Sequence, residues 1–199
     1  MTTRNLGKGA PRAAAEQLGL VGESERVDVG YHCIAADPPW QEKGGSRGAD
    51  KHYPLLSVPE ILRAMLQAPC WRPAVNAHLW MWTTANFLKE GIWLVEALGF
   101  RYVTFGCWVK PSIGIGQYLR LRQEPLLLGV RGRQHTNDHG VDSVVEAPRG
   151  RHSEKPDEAY RRIERVSPGP RLEMFARSPR PGWDVWGNEV AGAEDQGAA

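Results

Sequence analysis

The sequence predicts an α/β protein: a mostly parallel sheet with helices on both faces. Two observations carry this. Short β-leaning apolar runs alternate with segments of helical periodicity along most of the chain, the order that builds parallel sheets. The first of these runs also opens into a stiff, then polar and Gly-rich stretch, the usual position of a ligand loop in such a sheet.

Taken in order, Tyr31–Ala36 reads as the first strand. Ser57-Val58-Pro59-Glu60 combines a capping serine, a first-turn proline and a glutamate three residues on, so a helix runs from there toward Gln67. Ala77–Thr83 is the next strand, and a second helix spans roughly Asn86 to Leu98 with Gly99 as its stop. Strands follow at Phe100–Lys110, Pro125–Val130 and Ser143–Glu146. A third helix begins near Pro156, carries Ala159, Tyr160, Ile163 and Val166 at helical spacing, and ends at Ser167-Pro168-Gly169. Arg171–Ala176 is the last strand expected. The layout is Rossmann-like and forms one domain over residues 26–190. Residues 1–25 and 191–199 read as poorly ordered ends, although Ala13–Leu18 has the pattern of a short helix.

Composition narrows the class. The 199 residues suit a single core, and their 41% hydrophobic content is ordinary for a soluble protein. No apolar run approaches the roughly 20 residues that cross a bilayer, and the N-terminus has no signal-like apolar segment. Three widely spaced cysteines, Cys33, Cys70 and Cys107, read as reduced thiols of a cytoplasmic protein. Net charge is only +2, yet Arg120 to Arg180 holds 13 basic against 9 acidic residues. Arg131, Arg133, Arg149 and Arg151 fall in predicted loops and are candidate contacts to a phosphate backbone. From charge alone, an ordinary solvated surface is the better reading.

The chemistry concentrates in Asp37-Pro38-Pro39-Trp40 at the end of the first strand. Asp37 supplies an acceptor for an N–H donor. Pro38 and Pro39 lack backbone N–H groups and have fixed φ, so they hold carbonyls outward. Trp40 offers a flat face for stacking a base. Such a set suits methylation of an exocyclic amine, whose lone pair is delocalised into the ring. The Asp37 carboxylate and Pro38 carbonyl would hold its two N–H bonds and draw the nitrogen toward a tetrahedral shape. On the tetrapeptide alone a second reading stays open: a strand-end aspartate capping a Pro-rich turn, with Trp40 in the core.

Asp37-Pro38-Pro39-Trp40, Tyr53-Pro54, Lys155-Pro156-Asp157-Glu158 and Gly182-Trp183-Asp184-Val185-Trp186-Gly187-Asn188-Glu189 together resemble the MT-A (seventy-kilodalton subunit) family, over about Tyr31 to Val190. The compact form looks like its bacterial and phage members. The resemblance implies an S-adenosylmethionine-dependent adenine-N6 methyltransferase of DNA or RNA, with a Rossmann-like methyltransferase fold in permuted motif order. It assigns Asp37 and Pro38 to the target amine, and Asp37 also to the methionine end of the cofactor. Pro39 and Trp40 would complete the base pocket, Tyr53 would lie over it, and Glu124 would sit close to the target nucleoside. Tyr118, with Gly116, would shape the base region. Lys155 would meet the cofactor carboxylate, and Arg177, Asn188 and Glu189 would surround its ribose. Two transfers also make chemical sense: a carboxylate at Glu189 can accept from vicinal hydroxyls, and Lys155 precedes a helix N-terminus that favours anions.

His135 and His139 have i,i+4 spacing, but their segment is polar and Gly-flanked, so no metal is expected. Gly114-Ile115-Gly116 lacks the rest of a phosphate-loop pattern, and Trp80, Trp82, Trp93 and Trp108 read as core residues. The expected function is methyl transfer to adenine N6 in nucleic acid, DNA favoured, with a flipped or single-stranded base if DNA is the target. Substrate choice would come from short loops, from a partner or from low intrinsic specificity, and the expected associations are a protein partner or a homodimer. The alternatives are a non-catalytic nucleic-acid-binding subunit and a cytosine-N4 methyltransferase.

Overall fold

The computed structural model describes residues 30–41, 55–114, 118–150 and 154–187. The expected chain ends, the Ala13–Leu18 helix, and Tyr53, Gly116, Arg151, Asn188 and Glu189 lie outside the described residues.

The strands are β1 (Tyr31–Ala36), β2 (Pro73–Trp82), β3 (Arg101–Val109), β4 (Gln123–Arg131), β5 (Val144–Glu146), β6 (Arg171–Met174) and β7 (Asp184–Trp186). The helices are α1 (Val58–Gln67), α2 (Leu88–Ala97) and α3 (Asp157–Val166), with a 3-10 turn at Ala85–Phe87. One sheet takes the order β5-β3-β4-β2-β1-β6-β7. Every pairing is parallel except those of β4, which runs antiparallel to both β2 and β3. Six strands therefore end at one edge of the sheet, and β4 begins there.

Alternation along the strands splits the core into two layers. Ile34 and Ala36 of β1, Leu79 and Met81 of β2, and Leu127 of β4 pack under α1 and α2 against Ile61, Leu62, Met65, Leu94 and Val95. Cys33, Ala35, Trp80, Trp82 and Leu126 point the other way, under Ala159, Tyr160, Ile163 and Val166 of α3. The expected helices on both faces are present.

Local chemistry accounts for the helix limits. The Glu60 carboxylate accepts from both the backbone N–H (2.8 Å) and the hydroxyl (2.5 Å) of Ser57, which fixes the start of α1. Past α2, Gly99 takes a left-handed φ of 85° and donates its N–H to Glu96, a turn that a side chain would strain. Buried behind α3, Ser167 accepts from Trp80 Nε1 at 2.9 Å and lies 2.8 Å from His78 Nδ1. With its oxygen accepting from the indole, the hydroxyl hydrogen is free to point at the imidazole. Burial holds that imidazole below its ordinary value, against the pull of the Gln134 backbone.

Three elements differ from expectation. β2 starts at Pro73, four residues before the expected strand; Pro needs no ladder donor when it opens a strand. The second helix is split, because Phe87 N–H bonds back to Thr84 at 3.1 Å in a 3-10 turn before α2 begins. β7 was not expected at all. Its three residues are too few to show a period, and it is held by β6 and by Tyr31, whose hydroxyl donates to Asp184 at 2.6 Å. Burial and that carboxylate push the Tyr31 phenol up to about 12. Among the described residues no helix is long and apolar enough to cross a membrane.

Candidate active site

The tetrapeptide forms a tight, anchored turn as β1 leaves the sheet. Asp37 N–H still donates to Met174 of β6 at 3.3 Å, so the carboxylate is fixed to the sheet edge. Trp40 N–H donates to the Pro38 carbonyl at 2.9 Å, and Leu56 N–H donates to the Pro39 carbonyl at 2.8 Å. One lone pair of the Pro38 carbonyl remains for another donor. Trp40 does not present the open stacking face expected from the sequence. It is 6% exposed, donates its indole N–H to the Trp82 carbonyl at 3.0 Å and stacks on Phe87 at 5.4 Å. The ring serves as an anchor that holds the two prolines in place.

Asp37 follows Ala35 on the face covered by α3, and the segment entering α3 carries Lys155 directly over it. Lys155 Nζ lies 2.7 Å from Asp37 Oδ2 and 3.5 Å from Glu124 Oε2. It also sits 5.4 Å from the centroid of the Trp82 ring. β1 and β4 are separated by β2, roughly 10 Å in all, and this one ammonium spans the gap above the indole. Lys110, just past β3, pairs with the other Glu124 oxygen and lies 4.6 Å from the Trp108 ring centroid. The four side chains are 10 to 25% exposed. Lys110, Glu124, Lys155 and Asp37 thus form a row of alternating charge along the edge where β1 and β3 end and β4 begins.

The charges hold each other. Burial alone pulls the Lys155 ammonium down, but the Asp37 and Glu124 carboxylates overcome it and keep the group above its ordinary range. Arg177, in the segment after β6, is near enough to oppose them. Burial likewise pushes Glu124 up, and Lys155 and Lys110 together bring it below the usual carboxylate range. On β6, burial pushes Glu173 up, against Tyr160 (hydroxyl 2.5 Å away) and Arg180. Arg180 lies 3.5 Å from the centre of the Tyr160 ring and donates to Asp157 at 2.8 Å, which pins the loop between Arg177 and Trp183.

Other expected residues divide. Arg149 is exposed and its guanidinium lies beside Gly114, on the β3–β4 connection that leaves the Asp37 edge. Tyr118 is on the same connection, 98% exposed. Arg131 and Arg133 are elsewhere. Arg131 pairs with Ala77 and the Arg133 N–H bonds the Asn76 side chain, five residues of β2 or about 17 Å from Trp82. The reversed direction of β4 carries them to the opposite edge from Asp37, so they cannot share its pocket. Asn188 and Glu189 are undescribed, but Gly187 before them crosses the chain at Ala176: a Cβ there would lie 2.1 Å from the Ala176 carbonyl oxygen. Among the described residues no group of His, Cys, Asp or Glu is placed to hold a metal ion.

Lys110, Trp82 and the Glu173–Tyr160–Arg180 group went unrecognised in the sequence. Only Lys110 left a signal. It follows one strand and Glu124 opens the next, and a hairpin between them would bring the two onto neighbouring positions.

A sheet of this order, with an Asp-Pro-Pro-Trp turn closing β1 and a lysine carried over it by α3, is a Rossmann-like methyltransferase domain. The chain belongs to the MT-A70 family, whose sequence profile matches residues 31–189. It is 30% identical over 188 residues to the type II methyltransferase M.MunI of a Mycoplasma species, covering 80% of this chain and 78% of that protein. It is also 30% identical over 174 residues to the human N(6)-adenosine-methyltransferase catalytic subunit METTL3, covering 81% of this chain but 28% of that protein. A putative N(6)-adenosine-methyltransferase MT-A70-like protein of Medicago truncatula gives 30% over 185 residues and 28% of its length.

Proposed function

We propose that this chain transfers a methyl group from S-adenosylmethionine to N6 of adenine in nucleic acid, with DNA as the target pool. The observation that carries the reading is the pair of acceptors at one turn. The Asp37 carboxylate is fixed to the sheet edge and held by Lys155, and the neighbouring Pro38 carbonyl keeps a lone pair. Two acceptors side by side match the two N–H bonds of an exocyclic amine, and by binding both they favour the tetrahedral nitrogen that can attack. As the nitrogen gains positive charge, the Asp37 carboxylate stabilises it.

The donor set also fits the amino-acid end of the cofactor. Lys155 offers a cation for its carboxylate and Asp37 an anion for its ammonium, and Arg177, Asn188 and Glu189 would surround the ribose. When bound, the cofactor supplies an electrophilic sulfonium methyl. Lys155 holds Asp37 and Glu124 in register across the sheet edge, and with Lys110 it keeps Glu124 below the usual carboxylate range. Glu124 would contact the target nucleoside. DNA is preferred on the compact form of the chain, which covers 78% of the type II methyltransferase M.MunI but 28% of METTL3.

Nucleoside mass spectrometry of DNA and RNA from cells expressing the protein tests the reading. N6-methyladenine is expected to rise in DNA. A rise in RNA alone would reassign the substrate, and no rise in either pool would overturn the activity.

A further inference from the structure

Lys110 has no part in the reading above, yet its placement is costly for a mere surface residue. Its backbone is clamped twice: its N–H donates to the Arg122 carbonyl and its own carbonyl accepts from Arg122 Nε, both at 2.8 Å. Its side chain is 12% exposed, and its ammonium is held on Glu124 above the Trp108 ring. A charge taken this far out of water is not needed for packing, which an apolar side chain of the same length would supply.

The consequence falls on Lys155. That ammonium stands between two carboxylates, Asp37 at 2.7 Å and Glu124 at 3.5 Å. Each Glu124 oxygen is assigned to a different ammonium, Oε1 to Lys110 and Oε2 to Lys155. With Oε1 committed to Lys110, Glu124 has one oxygen left toward Lys155, which stands nearer Asp37. Without Lys110, the unshielded Glu124 would draw Lys155 away from Asp37. The charged groups facing Glu124 are Lys110 from the end of β3 and Lys155 from the segment before α3, with Asp37 reached through Lys155.

We propose that Lys110 is a positioning residue for the transfer: by holding Glu124 it sets how Lys155 divides between Asp37 and Glu124, and so where the carboxylate facing the target amine stands. Lys110 touches no reacting atom. The inference rests on the methyltransferase reading and deepens it.

A double-mutant cycle tests it, with Lys110→Met, Glu124→Gln, the pair together, and Lys110→Arg as rescue. Lys110→Met is expected to lower kcat by at least about tenfold. Its acid limb should shift to higher pH, because Glu124 has lost a cation. Lys110→Arg should recover most of the rate. In the Glu124→Gln background, Lys110→Met should change kcat by less than about twofold. Equal losses in both backgrounds, or an unmoved acid limb, would overturn the proposal. Carbon-detected NMR titration of the Glu124 carboxyl in ligand-free protein separates this from the activity itself. The midpoint should rise in Lys110→Met and not in Lys110→Arg; an unchanged midpoint overturns the positioning role even if the enzyme is active. A risen midpoint in a protein that methylates nothing would instead sink the methyltransferase reading on which the role depends.

Discussion

Lys155 and Asp37, 118 residues apart in the chain, meet at 2.7 Å on the edge of the sheet where β1 ends. Neither side chain is more than 18% exposed. A cation and an anion brought this close inside a partly dry edge fix each other's position, and the Asp37 carboxylate helps keep the Lys155 ammonium above its ordinary range.

Asp37 is expected to be indispensable. Asp37→Ala should reduce methyl transfer by at least about a hundredfold, the scale for one well-placed polar group at a reaction centre, while the protein stays folded. Asp37→Asn should fall between wild type and Ala, since Asn keeps a carbonyl acceptor but lacks the charge that stabilises the developing cation. Steady-state rates on an adenine-containing oligonucleotide give the order. A well-folded Asp37→Ala enzyme with near-normal turnover would send the search for the active site elsewhere.

Gly187 is expected to govern cofactor binding without touching the cofactor. Its missing side chain lets the chain pass Ala176, where a Cβ would meet the carbonyl oxygen at 2.1 Å. Gly187→Ala must push apart two backbone segments, one leading to Asn188 and Glu189 and the other to Arg177. S-adenosylhomocysteine should raise the melting temperature of wild type and lose about tenfold or more in affinity on the variant. Affinity within about twofold of wild type would show that this crossing does not shape the site.

Arg149, Arg131 and Arg133 should not behave alike, since Arg131 closes β4 and is not the loop residue expected from the sequence. Arg149→Glu, beside the connection that leaves the Asp37 edge, should weaken oligonucleotide binding and reduce the salt slope by about one. Arg131→Glu with Arg133→Glu, on the opposite edge, should leave both nearly unchanged. Equal losses in the two sets would mean that the nucleic acid wraps around the sheet end as well.

The charge row sets a pH window. Glu124 is held below its ordinary value, so its contribution is complete above about pH 4.3 and is lost as pH falls through the lower folded value. Lys155 is held above its ordinary value, so its contribution is complete below about pH 10.4 and is lost as pH rises through the higher folded value. Lys155→Met leaves Asp37 and Glu124 facing each other without their shared cation. Its melting temperature should fall below wild type at pH 7, and the deficit should shrink below about pH 4 as Glu124 protonates. A deficit that does not change with pH would show that Lys155 acts through packing alone.

What could be read without coordinates was local. Ser57 and Glu60 mark a helix start, Gly99 marks a helix stop, and Ala159, Tyr160, Ile163 and Val166 show one buried face, because capping and periodicity involve residues within a few positions of each other. The Asp37-Pro38-Pro39-Trp40 turn was legible for the same reason. Strand direction and register were not, since they depend on pairings between residues far apart in the chain. β4 runs against its neighbours, and this alone brings Glu124 to the edge where Asp37 and Lys110 end their strands and sends Arg131 to the other edge. The same long-range packing buried Trp40 against Phe87 and Trp82. No spacing rule links Lys155 to Asp37 and Glu124. The ammonium lies between them because α3 packs its apolar face across β1 and β2 and so brings the segment entering that helix over their ends.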